Sequence, residues 1–291
     1  MKFLANVAMV DPSFYIPLAQ AAEEAGYDGV SVPDSIFYPQ EASSRYPYNS
    51  DGTRQFLENK PFIEPLIATA VMSATTSRIT FYSSVLKLPI RHPVIFAKEV
   101  SSLAVMVGER FCLGVGSSPW SEDYVAVGLS WDGRGRRFDE CIEIVRGLCT
   151  GDYFGFDGHY YKFAPLKLNP VPSGPVPVLI GGHSDANLRR AARIGDGWIS
   201  AGSSTEQLAV RLERLRTLRL EYGREQLPFE VHATTEDSFS AAGVRRLEML
   251  GVTHTGGGFG RFNPYGVEAD PETVQEKLDN LRRYADEVMS R

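Results

Sequence analysis

The sequence predicts an α/β fold, a single (β/α)8 or TIM barrel running through residues 1–291, and three observations carry that reading. Apolar runs of strand length recur with helical patterns between them, the mark of repeated βα units and a parallel sheet. Eight such units can be drawn, which argues for closure into a barrel rather than an open sheet. A length of 291 residues is ordinary for one barrel of this kind and large for a single core in most other folds. An open doubly wound sheet is the alternative.

Taken in order, the first strand is expected over residues 2–8. The helix that follows, 13–25, places Leu18, Ala21, Ala22 and Ala25 on one face at helical spacing. The second strand, 28–33, is followed by residues 35–60, where Tyr38, Pro39, Tyr46, Pro47 and Tyr48 show no period. A loop of that length in a compact domain is usually functional, so it reads as a lid, with a plain surface insertion as the bland alternative. A helix over 63–74, a strand over 78–84, a helix over 93–106, a strand over 111–115 and a helix over 135–149 complete the first half. Residues 150–176 interrupt the alternation before the fifth strand. Their aromatics and terminal Pro-rich run suggest a hairpin about Asp157-Gly158 and then an extended crossing. Strands over 177–181, 197–200, 228–233 and 251–256 alternate with helices over 184–194, 205–222, 241–250 and 271–289.

Composition removes several classes of function. Hydrophobic residues at 43% and charged residues at 23% supply a packed core and argue against disorder. A net charge of -6 leaves no electrostatic footprint for nucleic acid. The N-terminus has no basic region ahead of an apolar stretch, and no apolar run approaches bilayer length, so a cytoplasmic protein without a membrane partner is expected. Cys112, Cys141 and Cys149 are widely spaced, without a Cys-x-x-Cys pair, and read as reduced core filler. His92, His159, His183, His232 and His254 include no pair at short ligand spacing, so no metal site is expected.

In such a barrel the site lies where the strands end. Asp34 is a carboxylate delivered to the mouth with Ser35 beside it, an acid/base candidate or a residue that orders its own loop. Ser83 and Ser84 lead to the β-branched Val85, leaving little bulk where a planar ring could lie. Gly114 and Gly116 with Ser117 let backbone approach a ligand, and Trp120 can wall it. The strongest signal is Gly181-Gly182-His183-Ser184, where a strand ends in two glycines and a capping residue opens a helix. Exposed N–H groups and the helix dipole there suit a phosphate ester, although an ordinary βα turn looks the same. Residues 255–260, rich in glycine, form a rival cradle.

At these motifs the chain resembles the luciferase-like superfamily of flavin- and deazaflavin-dependent oxidoreductases. The likeness runs nearly end to end through residues 22–29, Arg91-His92-Pro93 with Ala97-Lys98, Arg110-Phe111 into Gly114-Val115-Gly116, and Gly181-Gly182 through Ala191 to Trp198. The compact length and the segment Phe262-Asn263-Pro264-Tyr265-Gly266 most resemble the actinobacterial branch that uses coenzyme F420. The resemblance implies a non-proline cis peptide at Ser84-Val85 that presses on the cofactor's central ring, a phosphate loop at Gly181 and Gly182, and cofactor contacts at Gly116 and Ser117. It also suggests a homodimer through helices of the second and third units. Ser35 stands where related deazaflavin enzymes often place a histidine, and Pro119 where sugar-phosphate dehydrogenases of the branch carry a glutamate, so their substrate does not carry over.

The expected activity is hydride transfer between reduced F420 and a small organic substrate in a pocket walled by Phe37, Tyr38 and Trp120. The alternatives are an FMN-dependent monooxygenase served by a partner reductase, and a non-catalytic cofactor-binding protein that kept the barrel.

Overall fold

The computed structural model describes residues 1–48, 52–257 and 273–290. Among these, the strands in chain order are β1 (Lys2–Asn6), β2 (Gly29–Val32), β3 (Thr80–Ser83), β4 (Leu86–Lys87), β5 (Phe111–Gly116), β6 (Phe154–Asp157), β7 (Lys162–Leu166), β8 (Val178–Gly181), β9 (Gly197–Ile199), β10 (Glu230–His232) and β11 (His254–Gly256). The α-helices are α1 (Tyr15–Glu24), α2 (Pro65–Ser73), α3 (Pro93–Val107), α4 (Ser121–Ala126), α5 (Arg134–Leu148), α6 (Asp185–Ile194), α7 (Thr205–Glu221), α8 (Ala241–Leu250) and α9 (Val274–Tyr284).

Parallel pairing runs β1-β2-β3-β5-β8-β9-β10-β11 and returns from β11 to β1, where Phe3 faces Thr255. The sheet therefore closes as the eight-stranded barrel that the sequence predicts, and the open-sheet alternative fails. Each predicted strand is present, most with shorter ends, while the fourth extends one residue further, to Gly116. β4 was not expected: β3 is interrupted by a cis peptide at Ser84-Val85 and the chain resumes as β4, which pairs with β5. The short helix α4 was also missed, because its six residues hold too few turns to show a period.

Helix ends follow their capping residues. Glu64 accepts the Leu66 and Ile67 amides ahead of Pro65, and Ser184 accepts the Asn187 amide at the start of α6. Thr273 and Glu276 make a reciprocal capping box on α9. Of the helix predicted over 271–289, the first two residues lie outside the described ones; α9 runs from Val274 with Thr273 as its cap and passes into a π turn over Ala285–Met289.

Alternation along the strands separates two apolar regions. Outward residues such as Val30, Phe81, Leu113, Ile180 and Trp198 pack under the helices. Leu4, Tyr82, Cys112, Leu179 and Ile199 fill the barrel interior. Gly29 and Gly114 make room for that filling. A Cβ on Gly29 would meet Leu4 and Tyr82, and one on Gly114 would lie 1.9 Å from the Ser83 carbonyl oxygen. Cys112 and Cys141 are free and buried, and burial pushes both thiols up to about 12, which leaves them inert.

Both insertions lie where expected. β6 and β7 form the antiparallel hairpin about Asp157-Gly158. Its turn is fastened to α5, because Glu140 accepts the amides of His159 (2.8 Å), Tyr160 (2.8 Å) and Tyr161 (3.3 Å). Among the described residues, no helix is long and apolar enough to cross a membrane.

Candidate active site

The C-terminal strand ends open into a cavity of about 1300 Å³, above the volume that a drug-sized ligand needs. Ser84, Val85, Gly116, Ser117, Gly181, Gly182, His183 and Ser184 all line it, together with Asp34 and Trp120. The sequence thus points to three widely separated loops, after β3, β5 and β8, that the fold brings to one cavity.

Val85 is the pivot of the cavity wall. A Cβ on Gly116 would stand 2.7 Å from one Val85 methyl, and a Cβ on Gly181 would stand 2.8 Å from the other. Side chains at either glycine would drive Val85 into the cavity. The cis bond at Ser84-Val85 sets the valine in this slot, in the place the resemblance implies.

The Gly181-Gly182 turn has a built geometry. Gly182 adopts φ +108°, open to glycine and strained for other residues, and a Cβ there would meet Asn187 Nδ2 at 2.4 Å. Its carbonyl accepts the Trp198 indole N–H at 2.9 Å, which accounts for the tryptophan that ends the Gly-Asp-Gly-Trp segment. His183 follows, its Nε2 3.0 Å from Ser200 Oγ. Burial, reinforced by the nearby Arg211 charge, pulls the imidazole down to about 4, so His183 is neutral at physiological pH.

Asp34 is placed at the mouth but both of its oxygens are engaged. The Lys87 amide donates to Oδ2 at 2.9 Å, and Arg91 Nη2 reaches Oδ1 and Oδ2 at 3.3 and 3.2 Å. Arg91 also pairs with Glu64 at 3.4 Å. These contacts are those of the loop-ordering reading: the carboxylate ties the end of β2 to the segment just beyond the cis bond. Ser35 lines the cavity beside it. Lys87 is a buried cation spoken for by Asp123, 2.7 Å away.

The insertion after β2 supplies walls other than the Phe37 and Tyr38 expected from the sequence. Phe37 and Tyr38 are absent from the cavity lining, and Phe37 is exposed. Tyr46, Tyr48, Phe56 and Phe62 line it instead. Tyr46 stacks on Trp120, and Arg54 sits over the same indole at 4.5 Å. Glu122 at the start of α4 accepts the amides of Ser43 and Ser44 at 2.7 and 3.1 Å. Tyr48 reaches farther, edge-on to the His183 ring at 5.0 Å.

The cavity floor holds a cluster that sequence spacing hid. His232 on β10 and His254 on β11 are register partners, and their rings stack 4.0 Å apart, 17° from parallel. Glu230 lies 2.7 Å from His232 Nε2 and 3.7 Å from His254 Nε2. Their ligand atoms lie within 4.8 Å of one another, so the histidines do come together with a carboxylate. Nearly parallel rings cannot both direct a lone pair in-plane at one ion, so the geometry is that of a hydrogen-bonded core group. Burial pulls His254 down to about 3 and lowers His232 as well, leaving both neutral. The period-2 alternation that places Glu230 and His232 on one face was the available signal.

The rival cradle is only partly described. Thr255, Gly256 and Gly257 line the cavity, while residues 258–260 and Phe262 through Gly266 lie outside the described residues.

A family model described as luciferase-like monooxygenase matches residues 5–242. An uncharacterized protein of Mycobacterium tuberculosis is 49% identical over 291 residues, covering all of both chains. An F420-dependent glucose-6-phosphate dehydrogenase of Nakamurella multipartita is 31% identical over 210 residues, 71% of this chain and 57% of that protein. Among solved structures, the coenzyme F420-dependent tetrahydromethanopterin reductase of Methanopyrus kandleri matches with a TM-score of 0.73 at 14% identity, over 99% of this chain and 98% of that one.

Proposed function

This chain belongs to the luciferase-like monooxygenase family, and on that premise we propose that it is an oxidoreductase that uses coenzyme F420 on a small organic substrate. The cavity fits such a group on its own terms. It is large enough for a tricyclic ring and a second reactant, its bulge at Val85 is seated by two glycines, and its Gly181-Gly182 turn closes one end. The observation that carries the reading is this juxtaposition of a valine bulge and a glycine turn on one wall. The F420-dependent dehydrogenase at 31% identity favours the deazaflavin over a flavin. Bound there, the deazaflavin supplies a carbon centre that gives or takes a hydride.

The chain's own contribution is position and exclusion of water. Ser84, Val85, Gly116 and Ser117 would face the ring, and Gly181 through Ser184 would take the phosphate with backbone N–H groups at the start of α6. Trp120, Tyr46 and Phe56 would supply aromatic walls to the same cavity. Asp34 keeps β2 and the segment after the cis bond in register through Arg91 and the Lys87 amide. An acid/base role for Asp34 requires Arg91 to release it when substrate binds.

Dimerisation accompanies this reading. α2 and α3, the helices of the second and third units, present Ile67 (59% exposed), Val71, Ile95 (61%) and Met106 (83%) to solvent. A second copy is the partner that such a face suits.

The reading is tested by titrating the purified protein with F420 and with FMN, followed by cofactor fluorescence. Preferential binding of F420 supports the proposal. Preference for FMN transfers the site to the monooxygenase alternative with its partner reductase, and binding of neither defeats the cofactor reading.

A further inference from the structure

We infer that Arg211 is an anion-binding residue of this cavity, receiving the phosphate of the ligand alongside the Gly182-His183 turn. The inference deepens the reading above by assigning the charge that the glycine turn lacks.

Arg211 sits on α7, one barrel unit beyond the turn, and its side chain lines the cavity. The other arginines of that helix are engaged elsewhere, Arg214 and Arg216 in ion pairs on the outer side and Arg219 buried against backbone carbonyls beyond the helix. Arg214 pairs with Asp185 at 2.8 Å, Arg216 pairs with Glu213 at 3.0 Å, and Arg219 donates to the Leu227 carbonyl at 2.8 Å. Arg219 also has a buried Nη1 without a partner, but its Nη2 donates to two backbone carbonyls and it does not line the cavity, whereas Arg211 brings its buried, unpartnered Nη1 to the cavity and pairs with no carboxylate among the described residues. A buried guanidinium N–H left unmatched is a cost to the fold, and a phosphate oxygen removes it through a charge-assisted hydrogen bond.

Two neighbours narrow the role. His183 is the residue that the motif offers as a phosphate partner, yet burial and the Arg211 charge keep it neutral, so it cannot bring positive charge to the turn. Tyr48 of the lid is the other. Its hydroxyl lies within reach of both the His183 backbone amide and the Arg211 field. A phenol oxygen thus faces the same two donors that a phosphate oxygen would take. A phosphate entering the turn therefore competes with Tyr48 for the His183 amide and Arg211.

Arg211 is not fully enclosed, so its replacement should leave the fold intact, which melting curves of Arg211→Ala and Arg211→Lys would check. Titration of wild type and both variants with F420, FMN and riboflavin separates phosphate recognition from ring recognition. Arg211→Ala should weaken both phosphate-bearing ligands by roughly 10- to 100-fold and leave riboflavin unchanged, with Arg211→Lys between. Equal losses for riboflavin and FMN, or no loss for any, overturn the assignment while the cofactor site stands. Should wild type bind no flavin or deazaflavin, stabilisation by inorganic pyrophosphate decides. Stabilisation that disappears in Arg211→Ala keeps the anion site and sinks the cofactor reading, and no stabilisation sinks both.

Discussion

Tyr46 lies flat on Trp120, ring centroids 5.2 Å apart and planes 20° from parallel. One partner comes from the insertion after β2 and the other from the loop after β5, so this contact joins the insertion to the barrel. Glu122 secures the same junction. Burial raises its pKa, but hydrogen bonds from its own amide and from Ser44 and Ser43 outweigh that and hold it down to about 2.

Glu122→Ala should therefore loosen the lid without disturbing the barrel. Limited proteolysis should cut within residues 36–60 several times faster than in wild type, with a melting temperature lowered by only a few degrees, roughly 2–4 °C per kcal/mol lost. Unchanged cleavage would show that the segment is held without Glu122.

Gly114 and Gly181 should fail differently when replaced by alanine. At Gly114 the new methyl meets the Ser83 carbonyl in the barrel wall, so a loss of about 2 kcal/mol or more in denaturant unfolding is expected. At Gly181 it meets only the Val85 methyls, so stability should hold while cofactor affinity falls at least about tenfold. The double variant Gly181→Ala/Val85→Ala should recover part of that affinity, and a failure to recover would remove Val85 from the explanation.

Acid should weaken the fold before its carboxylates titrate. His254 and His183 are held at about 3 and about 4 against an ordinary 6.5, so the unfolded chain binds protons that the folded chain refuses. Stability is full above pH 6.5 and declines as pH falls from there through the folded values. Glu23 and Glu122, held at about 2 against 4.5, add their losses only below pH 4.5. Urea unfolding between pH 7.5 and 5 should show the first decline, and His254→Asn should flatten it. A profile level over that interval would contradict the buried neutral histidines.

The exposed apolar face on α2 and α3 predicts self-association. Ile67→Glu combined with Ile95→Glu should convert a dimer into a folded monomer by light scattering. A wild type that is monomeric at micromolar concentration would remove the dimer.

What the sequence revealed and what it withheld divide along physical lines. Strands, helices and the Asp157-Gly158 hairpin follow from local pattern and turn chemistry, which is why all eight barrel strands are present. The glycine turn before α6 was legible because a strand, two glycines and a capping serine are contiguous. Tyr46, Tyr48 and Arg211 were not legible, since a lid of no period and one arginine among four on a helix acquire their meaning only from tertiary placement. Phe37 and Tyr38 lie two to four residues from Ser35 or Asp34 in sequence, yet Ser35 lines the cavity and they do not. Asp34 itself was read as catalyst or organiser, and only the folded chain places Arg91 beside it.

The two insertions differ in how they are attached. The β6-β7 hairpin is bound to α5 through three amides on one buried carboxylate, whereas the contacts of the segment after β2 with the barrel are spread over Glu122, Ser121, Trp120 and His183. Divergence of reactant preference among homologues should accumulate in the segment after β2, which lines the cavity, and attempts to retarget the enzyme should begin by randomising it, with barrel and hairpin retained as an invariant chassis.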